Sequence, residues 1–156
     1  MEDDAELIRR FYAAFDRHDG DAMAAEYAPN ARFHDPVFGE LSGQEAGDMW
    51  RMLTGRSEDL RVELAEHEGG GDAGSARWIA TYTFTTTGRH VVNEIHARFR
   101  FDAGKIAEHE DSFSFWRWSR QAMGPLGVAL GWGPLRPLVG RRARADLARF
   151  RAERAV

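Results

Sequence analysis

Two carboxylates and an imidazole are enough to move a proton, and Asp35, His109 and Asp111 supply them. His109 and Asp111 lie two apart in a run of alternating polarity. On a strand they share one face, roughly 7 Å apart along the backbone. Phe113 and Phe115 continue that face. An ionisable pair among aromatics is costly to desolvate, so it needs a partner, a protonation change or a task. A histidine beside a carboxylate can act as general base or hold a proton for one. The structural alternative is a partly wet face on which both residues bond to neighbours. Asp35 sits between Phe33 and Val37 and directly before Pro36. Enclosure by Phe33, Phe38 and Trp50 would lift its pKa towards that of a proton shuttle. A carboxylate that only caps backbone N–H groups ahead of Pro36 would be a turn residue.

A second group of residues describes what such a proton relay would act on. Tyr12, Phe15, Tyr27, Met49, Trp50, Trp78 and Tyr82 are more aromatic bulk than a small core needs, and several carry polar tips. Together with Phe33, Phe38 and Phe113 they predict a pocket for a flat, largely apolar ligand. Taken one at a time, each is also a sound core residue. Asn93 offers one amide to that pocket or to a turn. His90 and His96 lack a third ligand at useful spacing, so no metal is expected. The Gly69-Gly70-Gly71 run does not precede a helix and is no phosphate cradle. No cofactor is called for.

These residues must be held by 156 residues, one domain's worth of chain. Hydrophobic residues make up 43% and charged residues 29%, the mix of a soluble globular protein. The absence of cysteine excludes disulfides, zinc–thiolate sites and a thiol nucleophile. A net charge of −4 argues against a general nucleic-acid binder. The most apolar stretch, residues 123–139, is broken by Gly124, Pro125, Gly127, Gly131, Gly133, Pro134, Arg136 and Pro137. A spanning helix needs ~20 mostly apolar residues, so no membrane partner is expected. The start, Met1-Glu2-Asp3-Asp4, is acidic where a secretory leader is basic. A cytoplasmic protein is the expectation.

Leu7, Ile8, Phe11, Tyr12 and Phe15 recur at helical spacing and predict a helix over residues 5–18. Asp21 is read as the N-cap of a short second helix ended by Pro29-Asn30. A strand over 32–37 follows. Ser42-Gly43-Gln44-Glu45 has the capping-box form and opens a third helix ending near Gly55. The period then changes to two. Strands are predicted over 60–68, 77–87, 90–101 and 105–115, with a glycine-rich hairpin loop over 69–75. This order predicts an α+β fold with helices on one face of an antiparallel sheet. After a Gly/Pro-punctuated loop over 124–137, residues 138–154 read as an arginine-rich helix with Ala143, Leu147 and Phe150 on its apolar side. Residues 136–156 hold seven Arg against two acids.

Several strings, in this order, resemble the SnoaL-like and ketosteroid-isomerase-like polyketide cyclase branch of the NTF2-like superfamily. They are Ile8-Arg9-Arg10-Phe11-Tyr12, Tyr27-Ala28-Pro29-Asn30-Ala31, Phe33-His34-Asp35-Pro36-Val37-Phe38-Gly39 with Ser42-Gly43, Arg100-Phe101-Asp102-Ala103-Gly104-Lys105-Ile106, and Glu108-His109-Glu110-Asp111. The resemblance implies a conical barrel, in which three N-terminal helices pack in a strongly bent antiparallel sheet around a deep pocket. The C-terminal helical tail is an addition. Residues 1–118 would form the family's domain, and 119–156 an extension of it. Asp35-Pro36 falls on the Asp-Pro base of the isomerases. Their oxyanion-hole tyrosine falls on Phe11, with Tyr12 next door, and their second aspartate on Ala97. His109 and Asp111 resemble the last-strand pair of the polyketide cyclases.

The residues and the resemblance together imply a cofactor-free enzyme of isomerisation, cyclisation or dehydration acting on a hydrophobic, polycyclic or polyketide-like molecule. In it Asp35 or Asp111 is the base, His109 its partner, and Tyr12 or Tyr82 a donor to the developing oxyanion. The alternative is a protein that binds an apolar ligand in the same pocket without turning it over. The stripe Glu94, His96, Arg98 and Arg100 on the outer sheet face is expected to pair two copies as a homodimer, as in relatives.

Overall fold

The protein is described by a computed structural model covering residues 2–130, 133 and 135–155. Helix α1 (Glu2–Asp16) is followed by α2 (Gly20–Ala25), β1 (Tyr27–Asp35), β2 (Gly39–Ser42) and α3 (Gly43–Arg56). The meander β3 (Arg61–Gly70), β4 (Ala73–Phe84), β5 (Arg89–Asp102) and β6 (Lys105–Ser112) comes next. Three helices end the chain: α4 (Phe115–Met123), α5 (Pro125–Leu130) and α6 (Leu135–Arg154). The strands form one curved sheet in the order β2-β1-β6-β5-β4-β3. Every neighbouring pair is antiparallel except β1 and β6, which run parallel. The sheet is therefore mixed, where a wholly antiparallel one was expected. The connection from β1 to β6 passes through α3 and four strands, long enough for a parallel return that no hairpin could make.

The apolar stripe of α1 is fully inside: Ile8 and Phe11 are 0% exposed and Leu7 and Tyr12 2%. Strand β5 alternates buried and exposed residues along its whole length, so Asn93, Ile95, Ala97, Phe99 and Phe101 face the helices. Glu94, His96, Arg98 and Arg100 face outward. The capping box on α3 is present, with Glu45 N–H donating to Ser42 Oγ and Ser42 N–H donating to the Glu45 carboxylate.

Several boundaries differ from the sequence reading, each for a physical reason. Asp19, not Asp21, caps α2 by accepting from Ala22 N–H at 3.0 Å. The earlier start lets Gly20 press against α3, where a Cβ would lie 2.6 Å from Arg51 Cα. Asp21 instead pairs with Arg51. Tyr27, Pro29 and Asn30 belong to β1 rather than to a helix end, and the ladder to β6 is shifted between Tyr27 and Arg32, which spares Pro29 a donor it lacks. Strand β2 was not foreseen; Gly39 at φ +70° folds the chain back to make it. The loop expected over 69–75 shrinks to Gly71-Asp72, both at positive φ, the geometry of a tight hairpin. Strand β6 stops at Ser112. Ser114 caps α4 and swings Phe115 into a second apolar cluster with Val91, Trp118 and Ala122. Phe115 thus leaves the His109 face.

The tail is more helical than expected, since α5 lies where a loop was read; residues 131–132 and 134 of that loop lie outside the described residues. Ala143, Leu147 and Phe150 do face the core. Helix α6 is held against α3 by Asp48, which pairs with Arg51, Arg151 and Arg154. No described helix is long and apolar enough to cross a membrane.

Candidate active site

Three neighbouring strands carry the centre of the site in two rungs. In the first, His109 of β6 sits between Phe33 of β1 and Phe99 of β5. Two residues further along each strand the side chains return to the same face. That sets Asp111 between Asp35 and Ala97, its partner on β5. Asp35, at the end of β1, is next in that register, and it is close enough to Asp111 to feel its charge.

His109 is 2% exposed and Asp111 4%. His109 Nε2 lies 2.9 Å from Asp111 Oδ1, and His109 Nδ1 2.7 Å from Tyr27 Oη. Tyr27 Oη also accepts from Trp50 Nε1–H at 2.8 Å. An indole nitrogen only donates. With its oxygen so engaged, the Tyr27 hydroxyl directs its single proton at His109 Nδ1. The imidazole proton is then on Nε2 and points at Asp111. A chain of donors runs from Trp50 through Tyr27 and His109 to one carboxylate. Aromatic rings enclose His109: Phe99 at 4.4 Å, Phe33 at 5.0 Å, and Tyr27 and Trp50 stacked nearly parallel to it. Burial raises the Tyr27 hydroxyl well above its ordinary pKa, so it stays a donor.

Asp35 Oδ1 accepts from Val37 N–H at 2.9 Å and Phe38 N–H at 2.6 Å. It is a turn-capping aspartate, and it also opens on the cavity. Burial pushes its pKa up to about 6, against the pull of the Phe38 N–H bond and with a further push from the charge of Asp111. The sign of the resulting linkage is definite. A carboxyl raised in the folded state favours folding below its unfolded pKa and loses that contribution as pH rises through about 6. Asp35→Asn keeps an oxygen for both N–H groups and removes the buried charge. It should therefore stabilise the fold at pH 8 by an amount on the order of 3 kcal/mol, read as a higher melting temperature, and give little gain at pH 4. Melting curves at the two pH values check this; equal effects at both would show that Asp35 is not held in a desolvated site.

The cavity has a volume of about 290 Å³. Asp35, Asp111 and Asn93 lie on its sheet wall among Phe15, Phe38, Trp50, Trp78, Tyr82 and Phe113. These are nine of the thirteen residues expected to form the site. His109, Tyr12, Tyr27 and Phe33 do not reach the cavity surface. They lie one layer behind it, because each is enclosed by the rings of α1 and α3. His109 therefore touches Asp111 and not the cavity. Tyr12 Oη and Trp78 Nε1 are buried without a hydrogen-bond partner. Burial, and next the charge of Asp111, raise the Tyr12 hydroxyl well above its usual pKa. Tyr82 Oη accepts from Trp118 Nε1 at 2.7 Å, which leaves its proton free to donate. Two larger hollows, of about 610 and 420 Å³, lie open between α3 and α6 and contain none of Asp35, His109 and Asp111.

Residues not anticipated as lining complete the helical wall: Leu53 and Arg56 of α3, Trp118 and Met123 of α4, and Val139, Arg142, Ala143 and Asp146 of α6. Their signal was the apolar stripe of α6, since 139, 143 and 146 continue the spacing of 147 and 150. Among the described residues, no three His, Cys, Asp or Glu side chains are grouped to hold a metal ion.

Comparison with known proteins agrees with this architecture. No significant match is found among curated proteins. An NTF2-like protein from Burkholderia thailandensis is 27% identical, with a TM-score of 0.66 over 78% of this chain and 97% of that one. A candidate polyketide cyclase from Streptomyces antibioticus is 20% identical, with a TM-score of 0.64 over 74% and 95%. A protein of ketosteroid-isomerase-like fold from Catenulispora acidiphila, crystallised with trimethylamine, gives 17% and 0.67 over 77% and 94%. The pattern of the SnoaL-like domain matches residues 8–109, which run from α1 to the buried histidine of β6. The chain belongs to the SnoaL-like domain family, with the NTF2-like fold.

Proposed function

We propose that the protein is a cofactor-free enzyme of proton transfer, isomerising, cyclising or dehydrating a hydrophobic polycyclic or polyketide-like molecule. The observation that carries this reading is the pairing of two unlike carboxylates on one apolar wall. Asp111 accepts a hydrogen bond from His109 Nε2 and is suited to receive a proton from carbon. Asp35, raised to about 6, holds or releases a proton near neutral pH. Environments that separate two carboxylates in this way divide the acid and base roles. Trp78 and Tyr82, both on the cavity wall, supply donors for a developing oxyanion. The candidate polyketide cyclase of Streptomyces antibioticus, alike in fold, supports the choice of substrate class.

The test is solvent-deuterium exchange at carbon next to a carbonyl, followed by NMR on a panel of polycyclic ketones and β-keto esters. Wild-type protein should accelerate exchange of at least one of them. Tight binding with no exchange would instead identify a ligand carrier.

We also propose that two copies pair through the outer sheet face. Arg98 and Arg100 there bond Glu110 and Glu108, and Arg77 bonds Glu94, a mixed-charge surface that can complement its own two-fold copy. Light scattering at micromolar concentration should give the dimer mass and, at high salt, a shift towards the monomer. A monomer at low salt would count against it.

A further inference from the structure

The helical wall of the cavity is chemically unlike the sheet wall. On the sheet side the charged groups are Asp35 and Asp111, both negative. On the helical side they are Arg56 of α3 and Arg142 and Asp146 of α6. Asp146 is already neutralised, since Arg56 lies 3.5 Å and Arg149 3.9 Å from it. Arg142 bonds no carboxylate and no carbonyl among the described residues. One unpaired guanidinium therefore stands at the rim of a hollow that is otherwise mostly aromatic and aliphatic. Helix α6 that carries it lies wholly beyond residues 8–109, so this charge is supplied by the extension and not by the matched part of the domain.

We propose that the cavity takes a flat apolar molecule bearing a carboxylate, with Arg142 and Arg56 binding the charged group at the rim. This rests on the reading of the cavity as a small-molecule site and narrows it to a substrate class. Charge sets the orientation. The two sheet-wall aspartates repel an anion, and the guanidiniums attract it with a fork of donors that matches a carboxylate. The uncharged part of the molecule is thereby turned towards Asp111. A carboxylate that displaces Asp146 from Arg56 leaves Asp146 paired with Arg149, and one that joins Arg142 alone adds an ion pair; in neither case is a charge stranded.

Anthracene carboxylate and its uncharged methyl ester are suitable probes, titrated by fluorescence against the full chain. Wild-type protein at low salt should bind the acid at least about fivefold more tightly than the ester, the effect of one charge-assisted contact at a partly wet rim. Arg142→Gln, at a side chain that bonds to nothing, should remove most of that preference. Arg142→Gln with Arg56→Gln should abolish it while the ester still binds, with melting curves showing that the variant is folded. If the ester binds and the acid binds no better, or the preference survives the double substitution, this inference is overturned and the apolar site stands. If neither probe binds, the small-molecule reading fails and this inference with it.

Discussion

Asp111→Asn should lower turnover by ~10²–10⁴-fold on whichever substrate the exchange assay selects, while the protein stays folded. Asparagine is nearly isosteric, and its Oδ1 can still accept from His109 Nε2 as the carboxylate does at 2.9 Å. The relay from Trp50 and Tyr27 is then undisturbed, so packing gives no reason for a loss. What disappears is the ability to take a proton. A second readout follows from the neighbour. The charge of Asp111 helps hold Asp35 up at about 6, so its removal should move the Asp35 titration downwards, measurable by carboxyl NMR. Activity within about tenfold of wild type would remove Asp111 from the mechanism. Retained activity with a shifted Asp35 would transfer the base role to Asp35.

The largest effect on stability is expected at Phe11. Its ring is 0% exposed and meets Tyr12 at 5.2 Å, His109 at 5.7 Å, Tyr27 at 5.8 Å, Trp50 at 6.0 Å and Phe99 at 6.4 Å, each edge to face. Phe11 is thus the hub that keeps the imidazole relay dry. Truncating a buried phenylalanine to alanine costs about 3–5 kcal/mol, through lost transfer energy and the void left behind. In a domain of this size that is a fall of about 10 °C in melting temperature. Phe11→Leu fills much of the void and should recover more than half of the loss. A change of only a degree or two for Phe11→Ala would mean that the surrounding rings collapse freely, contrary to a rigid relay.

The distinction between these two residues also shows what could be read from the chain. Parity on β6 placed His109 and Asp111 on one face, and parity on β5 placed Asn93 and Ala97 inward, because a period of two is a local property. The depth of each residue was not local. Tyr12, Tyr27 and Phe33 were expected on the cavity surface, yet they stand behind it, since which ring is outermost depends on how α1 and α3 press into the sheet. The role of Tyr27 had no local signal either. Pro29-Asn30 looked like a helix end, and only pairing with β6 makes that segment a strand. Nothing near Asp35 says that β1 lies parallel to β6. The family resemblance did not supply it either, since it implied an antiparallel sheet. Arg142 has no local signal, because it is one of seven arginines in residues 136–156 and nothing in their spacing sets it apart.

The parallel pairing of β1 with β6 has a consequence for how the molecule comes into being. Tyr27 and His109 are 82 residues apart, and their bond closes only after every intervening element exists. A chain emerging from the ribosome can form α1 and α3 early, but the slot between β1 and β5 stays vacant until β6 has left the tunnel. Until then Phe11, Phe33 and Trp50 have no histidine to enclose, and the inner edge of β1 lacks a partner. Contacts so distant are slow to close. The interval is one in which sticky rings and a bare strand edge are open to chaperones or to neighbouring chains. The strand that carries His109 and Asp111 is thus also the one that joins the two halves of the sheet, so a synthesised fragment that stops short of Asp111 has neither that pair nor a complete sheet.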